Sequence, residues 1–256
     1  MRTADELRDV FEAYLGALSL APELGRLEGA VRYALESGGK RVRPVVCLAV
    51  AEAEQGDIET ALPAAAALEL VHTFSLVHDD LPALDDDAER RGRPSTHAAF
   101  GDGVAILAGD ALLVEAFRLA LVYDDPSIAR ELADATLGMI AGQHRDITGD
   151  DADLAEVERL KTGRLFTASV GLGLRSAGVP YAKQAPWRAF GDELGLLFQV
   201  VDDILDHDGF AERLGIEGAR RLADDAAKRA RERLDRLAAD TSVLCELVDS
   251  LSVRTA

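Results

Sequence analysis

The chain has 256 residues and a formal net charge of −18 at pH 7. Because nucleic acids and anionic membranes attract basic surfaces, this charge argues against both as partners. The length and the 48% hydrophobic residues predict a single domain over residues 1–256. There is no run of about 20 uninterrupted apolar residues and no signal-peptide pattern at the N-terminus, which predicts no membrane span and a cytoplasmic location.

Helical periodicity runs through almost the whole chain. Apolar residues recur at three- and four-residue spacing, as at Leu7, Phe11 and Leu15, which predicts an all-α fold of about ten helices. Helix breaks are expected at clusters of Gly, Pro and Asp, among them Gly149-Asp150-Asp151. Three segments are apolar on most faces and are predicted to form the core of a helical bundle: 62–81, 102–122 and 186–206.

The first motif with chemical potential is the basic turn Gly38-Gly39-Lys40-Arg41-Val42-Arg43-Pro44. A turn that precedes a helix offers an anion both backbone N–H groups and, here, three cationic side chains. An ordinary basic loop would have the same charge. Lys40 favours the anion site, because only four of the 28 basic residues in this chain are lysines.

The second motif is acidic and ends the apolar segment 62–81. Five aspartates lie between Asp79 and Asp87, where they repel one another and the negative end of the helix dipole. A bound hard cation relieves this repulsion, and Mg²⁺ suits sites where each carboxylate supplies one or two ligands. The basic run Arg90-Arg91-Gly92-Arg93 follows directly.

A second acidic motif ends the apolar segment 186–206. Asp202 and Asp206 are four residues apart and therefore share one helix face. Either cluster alone is equally explained as a solvated helix end. Two such clusters, each following a long apolar helix, favour a metal site between them.

Taken in order, these motifs resemble those of the trans-isoprenyl diphosphate synthases, also called polyprenyl synthetases, and most of all bacterial farnesyl diphosphate synthases. The resemblance extends over nearly the whole chain and includes residues 38–44, 72–92, Gly142-Gln143 with Asp146, Lys161-Thr162-Gly163, and 198–206. It implies the isoprenoid synthase fold, a helical bundle around a deep central cavity, and a homodimer. It also implies Mg-assisted ionisation of an allylic diphosphate, dimethylallyl or geranyl, to a carbocation that condenses head-to-tail (1′-4) with isopentenyl diphosphate.

The resemblance also implies roles for individual residues. Three Mg²⁺ ions, which Mn²⁺ could replace, would bind the allylic diphosphate through Asp79, Asp80, Asp85, Asp202, Asp203 and Asp206. Isopentenyl diphosphate would be held by Lys40, Arg43, His72 and Arg91. The leaving diphosphate would be stabilised by Arg90 and Lys161. Polar contacts along the path of the cation would come from Thr162, Gln143 and Gln199, and Asp146 would support the cationic clamp.

Product length is predicted from Phe74. It precedes Asp79 by five residues and so lies roughly 7.5 Å down the helix. In the family a bulky aromatic residue at this position closes the pocket, and the two extra residues Leu81-Pro82 in the first motif accompany the same short-chain type. We therefore expect farnesyl diphosphate, the C15 product. A plain core role for Phe74, with geranylgeranyl diphosphate as the product, is the alternative.

The sequence departs from the family after Asp206. Most relatives have a flexible loop there with further lysines, one of which contacts diphosphate, whereas residues 207–227 contain none. Arg213 is a possible but unequal replacement. This departure keeps open a non-catalytic regulatory subunit of a heteromeric synthase, although the intact aspartates argue against it. A class I terpene cyclase fits less well, because cyclases line their cavity with aromatic residues and aromatic content here is 5%.

Overall fold

A computed structural model describes residues 1–149 and 153–253 of the chain, in which helices joined by turns and loops are accompanied by one short hairpin. The helices are α1 (Ala4–Ala17), α2 (Glu28–Leu35), α3 (Val42–Ala53), α4 (Ile58–Asp79), α5 (Thr96–Phe100), α6 (Asp102–Ala120), α7 (Ser127–Thr148), α8 (Leu154–Glu158), α9 (Arg164–Ser176), α10 (Ala185–Asp206), α11 (Gly209–Leu214), α12 (Ile216–Leu234) and α13 (Ser242–Val253). The strands β1 (Glu89–Arg90) and β2 (Arg93–Pro94) pair antiparallel. Short 3₁₀ turns occupy Pro22–Leu27 and Tyr181–Lys183.

The predicted all-α fold is confirmed, and ten of the helices in the described part of the chain have eight or more residues. Helices α8 and α9 are joined without a break by a π-helical turn, Arg159–Gly163, whose flanking residues keep helical backbone angles. The break expected at Gly149-Asp150-Asp151 lies largely outside the described residues, because only Gly149 is described. There α7 ends with Gly149 in the left-handed conformation.

Helix α4 is the centre of the bundle and packs against α3, α6 and α9. Its middle turns are built from small residues, 64–67, all alanine and all buried, so neighbouring helices approach it closely. Of the helices in the described ranges, α4 is the one long and apolar enough to cross a membrane. However, 72% of its apolar window is buried inside the protein, as in the core helix of a globular bundle.

One predicted core segment is only half buried. Helix α6 lies against α4 with one face, but its other face exposes Ile106, Leu107 and Val114. Helix α7 continues this exposed apolar surface with Leu137, Ile140 and Ile147. Apolarity on most faces of segment 102–122 therefore does not mean that it lies in the core of a single chain.

The two acidic motifs lie at the C-terminal ends of α4 and α10. Helix α9 packs against α3, α4, α7 and α10, so it connects the helices that carry the motifs. The basic turn 38–44 leads into α3, which packs against both α4 and α9. The sequence motifs are thus placed around one region of the bundle.

Candidate active site

The first acidic motif folds back over the end of α4. The N–H groups of Asp85 and Asp87 donate to the carbonyl oxygens of Asp79 (2.9 Å) and Asp80 (3.1 Å). These bonds satisfy carbonyl groups that a helix C-terminus otherwise leaves without partners. The result is a closed loop that brings Asp85 next to Asp79.

Asp79 and Asp80 have different environments although they are neighbours. Asp79 is half-buried, and burial together with the nearby Asp85 raises its pKa to about 6, against the opposing charge of Lys161. Asp80 is buried and forms an ion pair with Arg90, whose Nη2 lies 2.5 Å from Asp80 Oδ1. Asp80 is therefore already bound by a protein cation, whereas Asp79 carries a carboxyl group that lacks enough compensating charge.

The second acidic motif shows the same division. Asp202 is half-buried, and burial and Asp206 raise its pKa to about 6, opposed by Lys40 and Arg43. Asp203 is buried and accepts hydrogen bonds from Gln199 Nε2 (2.6 Å) and from the N–H of Phe210 (2.7 Å).

The Asp203–Phe210 bond explains the short connection after α10. Asp203 satisfies a backbone N–H in the first turn of α11, so the chain passes from α10 into α11 with only His207 and Asp208 between them. Gly209 is required here, because its φ is +45° and an added Cβ would lie 2.3 Å from Asp203 Oδ2. The predicted absence of a long lysine-bearing loop is thus seen directly.

The three cationic side chains of the basic turn have different environments. Arg41 turns inward with a φ of +47° and is buried, with Nη1 2.6 Å from Glu69 Oε1 and Nη2 2.6 Å from the carbonyl oxygen of Leu35. Lys40 remains exposed on the turn. Arg41 thereby anchors the turn that carries Lys40, a positioning role that sequence analysis missed. The sequence feature that could have indicated this role is Glu69, a lone carboxylate inside an apolar helix.

Arg43 is also buried but lacks such a partner. Its guanidinium lies over the rings of Phe166 (4.6 Å) and Phe198 (5.6 Å), and its Nε has no hydrogen-bond partner in the described ranges. Burial lowers its pKa to about 10, so it stays charged at neutral pH. A buried, charged donor without a partner fits an anionic ligand.

Arg91 and His72 complete the basic side of the site. Arg91 has a left-handed backbone and its Nη1 donates to the carbonyl oxygen of Gly38, so the loop after the first motif touches the basic turn. Burial and the nearby Arg43 and Arg91 lower the pKa of His72 well below its ordinary value of 6.5, which keeps the ring neutral. Of the predicted binding set, Arg43, His72 and Arg91 are therefore brought together, whereas the exposed side chain of Lys40 lines a separate cavity beside α1 and α13.

One cavity of about 350 Å³ brings together seven of the predicted residues. It is lined from α3, α4, α7 and the π-helical turn, and the predicted residues in its wall are Arg43, His72, Phe74, Asp79, Gln143, Lys161 and Thr162. Apolar neighbours, among them Leu84, Met139 and Ile140, form much of the remaining wall. The cavity thus combines a charged end with an apolar lining.

Lys161 is held in place from α7. Its Nζ lies 2.5 Å from Asp146 Oδ2. The π-helical turn approaches α7 closely, and a Cβ added at Gly142 would lie 2.4 Å from the backbone nitrogen of Lys161. A π-helical turn re-aims side chains within a helix and is often found at functional sites. Here the turn carries both Lys161 and Thr162.

Not every predicted residue reaches this cavity. Gln199 lines a neighbouring cavity of about 290 Å³ together with Glu158 and uses its amide to hold Asp203. Glu158 was not singled out from the sequence. Its pKa rises to about 7 because of burial and the charge of Asp203.

No group of three or more His, Cys, Asp or Glu side chains in the described residues forms a ready metal cage. The unneutralised carboxyl groups of Asp79 and Asp202 nevertheless fit Mg²⁺, which takes few protein ligands and completes its shell with phosphate and water.

Comparison with known proteins decides the family. The chain matches the family Polyprenyl synthetase over residues 25–225, which contain all the motifs described above. The chain belongs to this family. It is 40% identical over 218 residues to a farnesyl diphosphate synthase of Geobacillus stearothermophilus, covering 77% of this chain and 73% of that protein.

Other relatives agree. The chain is 40% identical over 201 residues to a geranylgeranyl diphosphate synthase of Cyanophora paradoxa, covering 73% of this chain and 67% of that protein. Its structure is similar to that of a geranyltransferase from Legionella pneumophila, with a TM-score of 0.88 and 31% identity over 98% of this chain and 96% of that one. The predicted family and the isoprenoid synthase fold are confirmed.

Proposed function

We propose that this prenyltransferase condenses isopentenyl diphosphate head-to-tail with dimethylallyl or geranyl diphosphate, and that its main product is farnesyl diphosphate. The observation that carries the proposal is the single cavity in which Asp79, Lys161 and Phe74 meet. Lys161 offers a cation to the diphosphate, Asp79 could bind it through Mg²⁺, and Phe74 forms an apolar floor for the hydrocarbon tail.

Departure of the diphosphate is assigned to the charged groups in and beside the cavity near Asp79. Lys161, held by Asp146, and Arg90, held by Asp80, are positioned cations that stabilise negative charge as it develops on the leaving group. Mg²⁺ held by Asp79, Asp85 and Asp202 would supply further positive charge to the leaving diphosphate. Asp206 could add a ligand, and Asp80 and Asp203 would support the site through their protein contacts. Thr162 and Gln143 line the same cavity and would lie beside the path of the allylic cation.

The second substrate is assigned to the basic turn. Arg43 has an unused Nε, Arg91 donates to the carbonyl oxygen of Gly38, and Lys40 adds an exposed charge on the same turn. The neutral ring of His72 can donate one hydrogen bond to a phosphate without adding charge. Holding isopentenyl diphosphate here would aim its double bond at the allylic cation and convert a bimolecular encounter into a positioned reaction.

Product length is assigned to Phe74. The ring is 7% exposed and packs edge-to-face on His78 at 5.1 Å between centroids, so its position is fixed. On the same helix, Val71 and Ala67 are fully buried and would lie beyond it. A hydrocarbon tail that stops at Phe74 favours the C15 product. A C20 product is the second candidate, because the relative from Cyanophora paradoxa is a geranylgeranyl diphosphate synthase.

The test is an incubation of the purified chain with Mg²⁺, isopentenyl diphosphate and either allylic diphosphate, followed by chain-length analysis of the products. Mainly C15 product supports the proposal, and mainly C20 product supports the second candidate. A hydrocarbon formed without isopentenyl diphosphate would indicate a cyclase, and no turnover until another subunit is added would indicate a regulatory subunit.

A matched pair of variants tests the floor. Phe74→Ala is expected to shift the product towards C20 or longer, because it opens the cavity towards Val71. Phe117→Ala removes a half-buried ring on α6 that does not line this cavity and should leave the product length unchanged. Unchanged products from Phe74→Ala would refute the assignment of the floor.

We also propose a homodimer formed through the outer faces of α6 and α7. Leu107 is 55% exposed and Leu137 64% exposed, and contiguous apolar surface of this kind marks interaction sites. Ile140 lines the cavity and belongs to the same exposed face, so a second copy would also close this side of the site. Light scattering of the wild type should give twice the mass of the chain. Leu107→Glu should give the mass of a single chain.

A further inference from the structure

A second cavity of about 350 Å³ lies outside the candidate active site, between α7, α9 and the beginning of α10. Its wall contains four arginines and two acids: Arg130, Arg164, Arg175, Arg188, Glu131 and Asp134. The wall therefore has an excess of positive charge in a chain whose net charge is −18. We call this cavity the arginine pocket.

Two of the arginines are held rigidly by one carboxylate. Glu131 Oε2 accepts from Arg175 Nε at 2.5 Å, and Glu131 Oε1 accepts from Arg188 Nη1 at 2.6 Å. Gly171 makes this arrangement possible, because an added Cβ would lie 1.8 Å from Glu131 Oε1. One carboxylate neutralises only one of the two guanidinium groups, so a positive charge remains in a fixed place.

The other two arginines bring unused donors to the same cavity. Within residues 1–149 and 153–253, neither Arg130 nor Arg164 has an ion pair or hydrogen bond from its guanidinium. The stem of Arg164 crosses α7 at Gly138, where a Cβ would lie 2.8 Å from Arg164 Cγ. Both side chains are exposed enough to turn towards a ligand.

We propose that the arginine pocket binds a small phosphate-class dianion, inorganic phosphate or inorganic diphosphate. Arginine forks match phosphate oxygens in bidentate geometry, and two guanidinium groups already held by Glu131 lose little entropy on binding. The cavity volume is that of a small-ligand pocket. This inference does not depend on the proposed function, because the pocket and the cavity around Asp79 share no lining residue.

Calorimetric titration of the full chain in EDTA, separately with inorganic phosphate and inorganic diphosphate, tests the proposal. The pocket variant is the double replacement Arg130→Gln/Arg164→Gln. The control is Arg221→Gln/Arg236→Gln, which removes the same charge from two exposed positions elsewhere. Arg43→Gln reports binding in the candidate active site.

The wild type and the control should bind at least one of the two anions with similar affinity, and the pocket variant should bind it at least tenfold more weakly. The ligand is the anion that shows this difference. Equal affinity of the pocket variant and the control, loss of binding in Arg43→Gln alone, or no binding to the wild type at millimolar concentration would each overturn the proposal. Prenyl transfer by the pocket variant should remain at the wild-type rate, so a failed binding test would leave the proposed function untouched.

Discussion

Replacing Asp202 with asparagine is expected to stabilise the metal-free protein at neutral pH. The pKa of this carboxyl is raised from 3.8 to about 6, which means that the folded protein favours its protonated form. The stability that the group contributes is therefore fully present below pH 3.8 and is lost as the pH rises through 6. Because asparagine stays neutral, the variant does not lose this stability as the pH rises.

The magnitude follows from the pKa shift. A shift of about two pKa units corresponds to about 3 kcal/mol, which is an upper bound because solvent relaxes around a half-buried group. We expect a gain of about 1–2 kcal/mol at pH 7.5, equivalent to about 3–6 °C in melting temperature for a chain of this size. At pH 4.5 the gain should be much smaller.

Thermal unfolding in EDTA, at one protein concentration and at pH 4.5 and 7.5, measures the effect. Asp206→Asn is the matched control, because this exposed carboxylate ends the same helix and its replacement should change stability by at most about 0.5 kcal/mol. Asp202→Asn should also lose prenyl transfer, since a site that keeps uncompensated charge for its ligand gives up stability. Equal melting temperatures of the wild type and Asp202→Asn at pH 7.5, or an equal difference at both pH values, would refute the reasoning.

Two further predictions concern charge pairs. Glu69→Ala leaves Arg41 buried without its main partner and should cost about 3–5 kcal/mol in urea unfolding, whereas Glu12→Ala, which removes the exposed partner of the same arginine, should cost about 0–1 kcal/mol. Equal costs would show that Glu69 does not fix the turn. Lys161→Met should lower kcat in steady-state kinetics about 10²–10³-fold, with little change in the melting temperature. The control is Lys183→Met, at an exposed position after the C-terminal end of α9, which should leave kcat unchanged.

Local features of the sequence predicted much of this protein. Helical periodicity, breaks at Gly and Pro, and acidic runs at the ends of apolar segments are properties of neighbouring residues, so they can be recognised without knowing the fold. The position of Phe74 relative to Asp79 is likewise set by helix geometry alone. The predicted helices, the two acidic motifs and the family were accessible for this reason.

Tertiary packing decided which residues of one type form ion pairs and which do not. Asp79 and Asp80 are adjacent in sequence, yet only Asp80 is paired, because Arg90 reaches it from the hairpin. Arg41 and Arg43 are both buried, yet only Arg41 meets a carboxylate on α4. The outer face of α6 and the arginine pocket are also products of helix packing. The sequence alone determined which side chains are available near each motif, whereas burial and pairing across distant helices decided which of them remain free to bind a ligand.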